Sequence, residues 1–337
     1  MDSRKLNIRT ENWREEPFSI SRSYEEDNFD VVVVELEQNG FKGWGEGSPT
    51  EHYQESVQQT EALIEDFRKV LENGMSRQEL QQAMPKGAAR NAVDCALWDL
   101  EAKLAGKRVW ELTEISKHLA ADGTSEPGSV TTVYTLSLDT PEKMGEAAAK
   151  HAKRPNLKIK LTGDGDLERL SAISENAPNS RLVVDANEGW TPEHYQRFVP
   201  ELKSLGVEMI EQPFPADKDS ILKELDRPLP VCADESCHDT ADLERLNGLY
   251  EFVNIKLDKT GGLTEALHLQ AQAENMGFRT MVGCMSSTSL GIAPAFLIAQ
   301  RAEIVDLDAP LYLYEDRNTP IRYELSKVFP PDAKLWG

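Results

Sequence analysis

From about residue 130 onward, short runs of β-branched and aliphatic residues alternate with longer polar stretches. The runs begin near Val130 (VTTVYTLSL), Leu157 (LKIKL), Leu182 (LVVDAN), Glu208 (EMIEQP), Pro230 (PVCADE), Phe252 (FVNIKLD), Arg279 (RTMVGCM) and Ile304 (IVDLDAP), 22 to 27 residues apart. A parallel strand–helix–strand crossover needs about that length. Between the runs, segments such as ADLERLNGL and LTEALHLQAQAENMG space apolar residues three or four apart, the second with Gly277 in C-cap position. Eight such units, the last without a clear helix, predict an α/β fold built on a (β/α)8-type, TIM-like barrel. An open doubly wound sheet is the alternative, but no glycine-rich phosphate loop follows the first strand.

Residues 1–125 carry a different pattern. VVVVELEQNGFKGWGEGSP reads as two strands around the Asn39-Gly40 turn. In AARNAVDCALWDLEAKLAG, Ala89, Ala92, Val93, Ala96, Leu97, Leu100 and Leu104 form one apolar helical stripe, closed by Gly106 and suited to plain packing. The expected layout is an α+β unit over 1–125, a Gly/Ser-rich linker near 122–129 (DGTSEPGS), and the barrel over 126–310.

Charge narrows the partners. With 37 Lys and Arg against 58 Asp and Glu, the net charge of -21 argues against nucleic acid and against an anionic membrane surface. No apolar run reaches the ~18 residues of a membrane-spanning helix. The opening MDSRKLNIRTENW lacks the apolar core of a signal peptide. Cys95, Cys232, Cys237 and Cys284 show no C-x-x-C spacing, so a reducing cytoplasm is the expected location.

In a barrel of this kind chemistry gathers where strands end and βα loops begin. Those ends carry Lys158 and Lys160, Asp185, Glu211, Asp234 and Glu235, Lys256 and Asp258, and Asp306 and Asp308. Each alone could cap a helix; their recurrence at matching points of successive units asks for more. Asp185, Glu211 and Asp234 would sit on adjacent strands ~4.8 Å apart, where three carboxylates repel unless a cation lies between them. Oxygen ligands without His or Cys select a hard ion, Mg²⁺ before Mn²⁺. Lys160 and Lys256 would flank that ion from opposite sides. A lysine, with its reference pKa of ~10.4, needs a nearby cation to serve as a base, and Lys158 would supply one beside Lys160.

The set K-x-K, D-A-N, E-Q-P, A-D-E and N-I-K-L-D-K-T-G-G, in that order, resembles the enolase superfamily, and within it the muconate-lactonizing subgroup and the dipeptide epimerases of the L-Ala-D/L-Glu type. The resemblance runs from WGEGSP through GAARNAVDCALWDLEAK to VDLDAP. It implies a modified barrel under a capping domain that is completed by the C-terminal tail, about 311–337. It also implies Asp185, Glu211 and Asp234 as magnesium ligands and Lys160 and Lys256 as the acid/base pair. Asp306 and Asp308 would hold the ammonium of a dipeptide, and the base position falls on Lys256 rather than Lys259.

The implied activity is inversion of the α-carbon of a dipeptide's C-terminal residue, L-Ala-L-Glu foremost, as in murein peptide metabolism. One lysine would take the proton and the other return it on the opposite face. The alternatives in the same fold are o-succinylbenzoate synthase and N-succinylamino acid racemase. Their substrates carry no free α-ammonium and leave Asp306 and Asp308 unexplained. A catalytically silent scaffold is disfavoured because no ligand or base position is substituted. Side-chain preference rests on SRSYEEDNFD and SPTEHYQES, segments that touch the side chain in such enzymes. Arg22 could meet a glutamate, whereas Glu25, Glu26, Asp27 and Asp30 leave a cationic dipeptide open, and a hydrophobic one is a further alternative. A homo-oligomer is compatible with all of this.

Overall fold

The computed structural model describes residues 4–112 and 126–337, without the side chains of residues 23–26. Three long antiparallel strands come first: β1 (Lys5–Ile20), β2 (Ser23–Gln38) and β3 (Phe41–Gly47). Asn39 and Gly40 both adopt positive φ (53° and 79°), as the two-residue hairpin at that dipeptide requires. Strand β1 has no counterpart among the expected elements. Its less exposed positions alternate, Leu6 and Ile8, then Glu11, Trp13 and Glu15, but two of these five are glutamates, so the sequence shows little of the apolar alternation that marks a strand.

Four helices follow, α1 (Val57–Asp66), α2 (Arg68–Glu72), α3 (Arg77–Ala83) and α4 (Ala88–Leu104). Helix α4 lies directly on β3 because one face of that strand is Gly43, Gly45 and Gly47. A Cβ at Gly45 would stand 2.0 Å from the Ala92 carbonyl oxygen. The apolar stripe of α4 packs with Val32, Val34 and Leu36. Its other side, Cys95, Trp98 and Ala102, joins the barrel core, so the helix is buried on two faces rather than one.

The barrel strands are β5 (Tyr134–Leu136), β6 (Asn156–Lys160), β7 (Arg181–Asp185), β8 (Val207–Glu211), β9 (Val231–Ala233), β10 (Phe252–Ile255), β11 (Arg279–Val282) and β12 (Ile304–Val305). They form one parallel sheet in chain order. It closes where the Val133 amide donates to the Val305 carbonyl at 2.8 Å. The run at Val130 is two elements, not one. Its first residues form β4 (Val130–Thr131), which pairs with a C-terminal hairpin, β13 (Tyr323–Glu324) and β14 (Lys327–Val328). The two shortest repeats, after Glu208 and Pro230, hold a 3-10 stretch (Ala216–Glu224) and a one-turn helix (Leu243–Leu246) in place of full helices. The eighth unit ends in a 3-10 turn, Ala309–Tyr312. Residues 122–125 of the expected linker lie outside the described residues. The tail returns to the N-terminal unit: Trp336 donates to the Cys95 carbonyl at 3.0 Å, and the Gly337 amide to Asp99 at 2.7 Å. Among the described residues no helix is long and apolar enough to cross a membrane.

Candidate active site

Inside the barrel, Val183, Met209, Cys232, Phe252, Met281 and Ile304 form an apolar floor. Two residues further along their strands, on the same face, stand Asp185, Glu211, Asp234, Asn254 and Asp306. Strand register puts Asp185 beside both Lys160 and Glu211. The polar layer is thus the next rung of the pleat above the floor, at the mouth of the barrel.

The ammonium of Lys160 lies 2.7 Å from Asp185 Oδ2 and 3.0 Å from Asn187 Oδ1. Four strands away, Lys256 Nζ lies 2.7 Å from Asp234 Oδ2. Lys158 Nζ is enclosed by Asp306 Oδ2 at 2.7 Å, Glu211 Oε2 at 2.7 Å and Asp185 Oδ2 at 3.1 Å. Burial disfavours its charge, but Asp306, Glu211 and Asp185 outweigh that and hold it well above the usual lysine value. The expectation that Lys158 acts chiefly on Lys160 therefore needs correction. Its nearest charges are carboxylates: Asp185 and Glu211 from the next two strands, and Asp306 from β12, which closure of the sheet onto β5 brings within two strands of β6.

Asp185, Glu211 and Asp234 are all but completely buried. Burial and the charge of Asp185 push the Glu211 carboxyl up to about 8. Asp185 and Asp234 go the other way: burial opposes it, but their lysine partners hold both below the usual carboxylate range. Asp185 and Glu211 converge on the Lys158 ammonium and Asp234 on those of Lys256 and Lys259. Three buried carboxylates, each already drawing a cation and with no His or Cys among them, have the oxygen-only chemistry of a hard-cation site and fit magnesium. Asn254 donates to Glu211 Oε1 at 2.7 Å and fixes its orientation. Lys259, fully buried, donates to Asp234 Oδ1 at 2.7 Å, to the Asp234 carbonyl at 2.5 Å and to the Asn254 carbonyl at 3.0 Å. Asn187 (φ 41°), Glu188 (φ 66°) and Gln212 (φ 33°) hold left-handed backbone conformations immediately past β7 and β8, a form of local strain that collects at functional sites.

One cavity joins Lys158, Lys160 and Lys256 to Asp306 and Asp308. Asp308 accepts from the Thr135 amide at 2.7 Å and the Tyr312 hydroxyl at 2.9 Å. Burial and the neighbouring Asp306 push its carboxyl up to about 7. Asp306 and Asp308 thus share the cavity but are both engaged, Asp306 with a lysine.

Arg22 does not offer an open guanidinium. It donates to Glu235 Oε1 at 2.6 Å and to the Asn187 carbonyl at 3.2 Å, so an anionic side chain could meet it only by displacing or sharing Glu235. His52, Glu188 and Glu235 gather around the same spot, their ligand atoms within 4.8 Å of one another. Asp27 and Asp30 are exposed and bond to Asn28 and Asn12, away from the cavity. The Glu25 and Glu26 side chains lie outside the described residues. Asp258 turns to the Ser48 amide (2.9 Å) and Asn91 (2.8 Å), joining the barrel to the N-terminal unit. Sequence reasoning missed Asn187, Asn254 and the work of Glu235 and Lys259. Period-two spacing from Asp185 and Lys256 was a signal for the two asparagines. Nothing local pointed to Arg22–Glu235.

Residues 3–113 match the mandelate racemase / muconate lactonizing enzyme N-terminal domain, and residues 143–333 the enolase C-terminal domain-like family. An N-acetyl-D-glutamate racemase from Pseudoalteromonas sp is 42% identical over 91% of this chain and 95% of its own length. The L-Ala-D/L-Glu epimerase of Escherichia coli K12 is 42% identical over 93% of this chain and 95% of its own. An enolase family member from Agrobacterium tumefaciens, with homology to dipeptide epimerases and solved with sodium and L-Ala-L-Glu bound, superposes with a TM-score of 0.94 at 45% identity, covering 99% of this chain and 100% of that one.

Proposed function

The chain belongs to the mandelate racemase / muconate lactonizing enzyme family of the enolase superfamily, and we propose that it is a magnesium-dependent dipeptide epimerase acting on L-Ala-L-Glu and its C-terminal epimer. The observation that carries the reading is one cavity holding two lysines from opposite sides of the barrel, Lys160 and Lys256, together with Asp306 and Asp308.

Asp185, Glu211 and Asp234 would hold a magnesium ion, which when bound supplies the positive charge that stabilises negative charge gathering on the substrate carboxylate. Lys160 and Lys256 would move the protons: one takes the α-proton at Nζ from one face, and the other, as ammonium, delivers one to the opposite face. Substrates of opposite hand exchange the two roles. Inversion needs bases on both faces, and the origin of the two lysines on β6 and after β10, four strands apart in an eight-stranded barrel, supports that reading. Asp306 and Asp308 would receive the substrate's ammonium, and Arg22 the glutamate side chain once its pair with Glu235 opens. Lys259 and Asn254 would orient Asp234 and Glu211. Four unpaired cysteines suit a cytoplasmic setting.

A second reading is kept because one relative at the same identity is named an N-acetyl-D-glutamate racemase. Its substrate has no ammonium, so Asp306 and Asp308 favour the dipeptide. The test follows the C-terminal α-proton signal of L-Ala-L-Glu in D₂O with Mg²⁺. Lys160→Ala and Lys256→Ala should each stop inversion, a loss of ~10²–10⁴-fold or more, while each should keep α-proton exchange in one diastereomer. Near wild-type inversion by both variants refutes the two-base scheme.

A further inference from the structure

Ser21 and Arg22 make up the turn between β1 and β2, where Ile20 pairs with Ser23. That turn is seated on the loop after β7. Ser21 Oγ donates to the Asn187 carbonyl at 2.9 Å, and Arg22 Nη1 donates to the same oxygen at 3.2 Å. Asn187 is 4% exposed, and no backbone amide among the described residues reaches its carbonyl. A buried carbonyl needs a donor, so the N-terminal unit supplies what the barrel does not. The approach is close because Gly189 lacks a side chain. A Cβ there would stand 3.2 Å from Ser21 Cβ and 3.2 Å from the carbonyl oxygen of Thr162, in the loop after β6. Three segments thus meet at one glycine.

The same residue reaches Lys160. Asn187 and Glu188 are both left-handed, and the Gly189 amide closes their turn onto the Ala186 carbonyl at 2.8 Å. While the Asn187 carbonyl meets the N-terminal unit, its side-chain Oδ1 accepts from Lys160 Nζ at 3.0 Å. Lys256 has no such neighbour: its ammonium donates to Asp234 Oδ2. The N-terminal unit approaches that side by a separate segment, through the Ser48 amide on Asp258. We propose that Ser21 is a positioning residue for Lys160 and not for Lys256. Its hydroxyl holds the turn that aims Asn187 at the Lys160 ammonium, so docking of the N-terminal unit sets one of the two bases. The inference rests on the two-lysine reading and is independent of the substrate's amino group. When Arg22 leaves the Asn187 carbonyl for a substrate carboxylate, Ser21 is the donor that remains.

The test reads two events in D₂O with magnesium, starting from L-Ala-L-Glu and from L-Ala-D-Glu: inversion, and α-deuteration with retained configuration. In Ser21→Ala, the diastereomer whose α-proton faces Lys256 loses it normally but is slow to receive a new one from Lys160. Its ratio of retained exchange to inversion should rise roughly 3- to 10-fold, the scale of one hydrogen bond. For the other diastereomer Lys160 is the slow partner and Lys256 returns the proton normally, so the ratio should fall by as much. Exchange that survives in Lys160→Ala identifies the first diastereomer. Asn187→Gly keeps the left-handed backbone but deletes the contact with Lys160, and should move both ratios further in the same directions. Ser21→Thr, which keeps the hydroxyl, should stay near wild type. Wild-type behaviour of Ser21→Ala overturns the proposal, as does equal slowing of both diastereomers with unmoved ratios, which would make Ser21 a scaffold residue. If wild type inverts N-acetylglutamate instead, the same ratios are read on its two enantiomers. Inversion that survives in both lysine variants defeats the two-lysine reading and this inference together. Dependence on both lysines with unmoved ratios defeats this inference alone.

Discussion

Lys259→Met removes a buried charge while nearly conserving side-chain volume, so its effect reports electrostatics and hydrogen bonding rather than a cavity. The substitution deletes three bonds, to Asp234 Oδ1 at 2.7 Å, the Asp234 carbonyl at 2.5 Å and the Asn254 carbonyl at 3.0 Å. Two carbonyls lose a donor, and the Asp234 carboxylate keeps Lys256 on its other oxygen at 2.7 Å. Breaking a buried pair by removing one partner costs roughly 3–5 kcal/mol, and the surviving Lys256 contact places this case near 3. In a chain of this size each kcal/mol moves Tm by about 2 °C, so the expected fall is roughly 6 °C or more. Thermal unfolding of wild type and variant in a chelator checks it, with circular dichroism confirming an unchanged fold. A Tm within about 2 °C of wild type refutes the reasoning, because Lys259 would then contribute no net free energy to its own buried network. Glutamine at the same site, which can still donate, should recover part of the loss.

Two more outcomes follow from the geometry. Chelation should abolish turnover and Mg²⁺ or Mn²⁺ restore it; saturating Mg²⁺, at about 100 times Kd, should stabilise the fold by about 2.7 kcal/mol, and Asp185→Asn should blunt that thermal shift. An unchanged Tm on adding Mg²⁺ to chelated wild type refutes the site. Asp94, fully buried and accepting from the Thr264 amide at 2.9 Å and the Thr264 hydroxyl at 2.7 Å, is pushed up to about 6, chiefly by burial. A carboxyl raised in the folded state costs stability as pH climbs from its unfolded pKa of ~3.9 to its folded one, so about 1.5 kcal/mol should be lost between pH 5 and pH 7. Asp94→Asn should flatten that slope because the amide does not titrate. Gln81, whose Nε2 donates to Asp94 Oδ1 at 3.0 Å, can turn its amide so that Oε1, without a hydrogen-bond partner among the described residues, accepts from the new side chain. Denaturant titrations at both pH values measure this, and parallel losses in the two proteins refute it.

The parts legible in the chain were those whose information is local. Short β-branched and aliphatic runs at 22- to 27-residue intervals marked the barrel strands, and the two-residue pleat set Asp185, Glu211 and Asp234 one rung above Val183, Met209 and Cys232. Asn39-Gly40 specified its hairpin because only residues tolerant of positive φ can turn that tightly. What tertiary structure decided involves pairs far apart in sequence. Lys158 meets Asp306 across 148 residues, Arg22 meets Glu235 across 213, and Ser286 meets Glu15 across 271. Strand β1 was invisible because its less exposed positions include Glu11 and Glu15, and it is held by pairing with β2, by the core behind Leu6 and by the tail at Glu15. Glu15 looks like its exposed neighbour Glu16 until Leu313 pairs with it. Local patterning tells which face of an element turns inward. Which charges then face each other is set only when the sheet curls shut and the tail folds back, since the energy of a buried charge depends on partners that no short window contains.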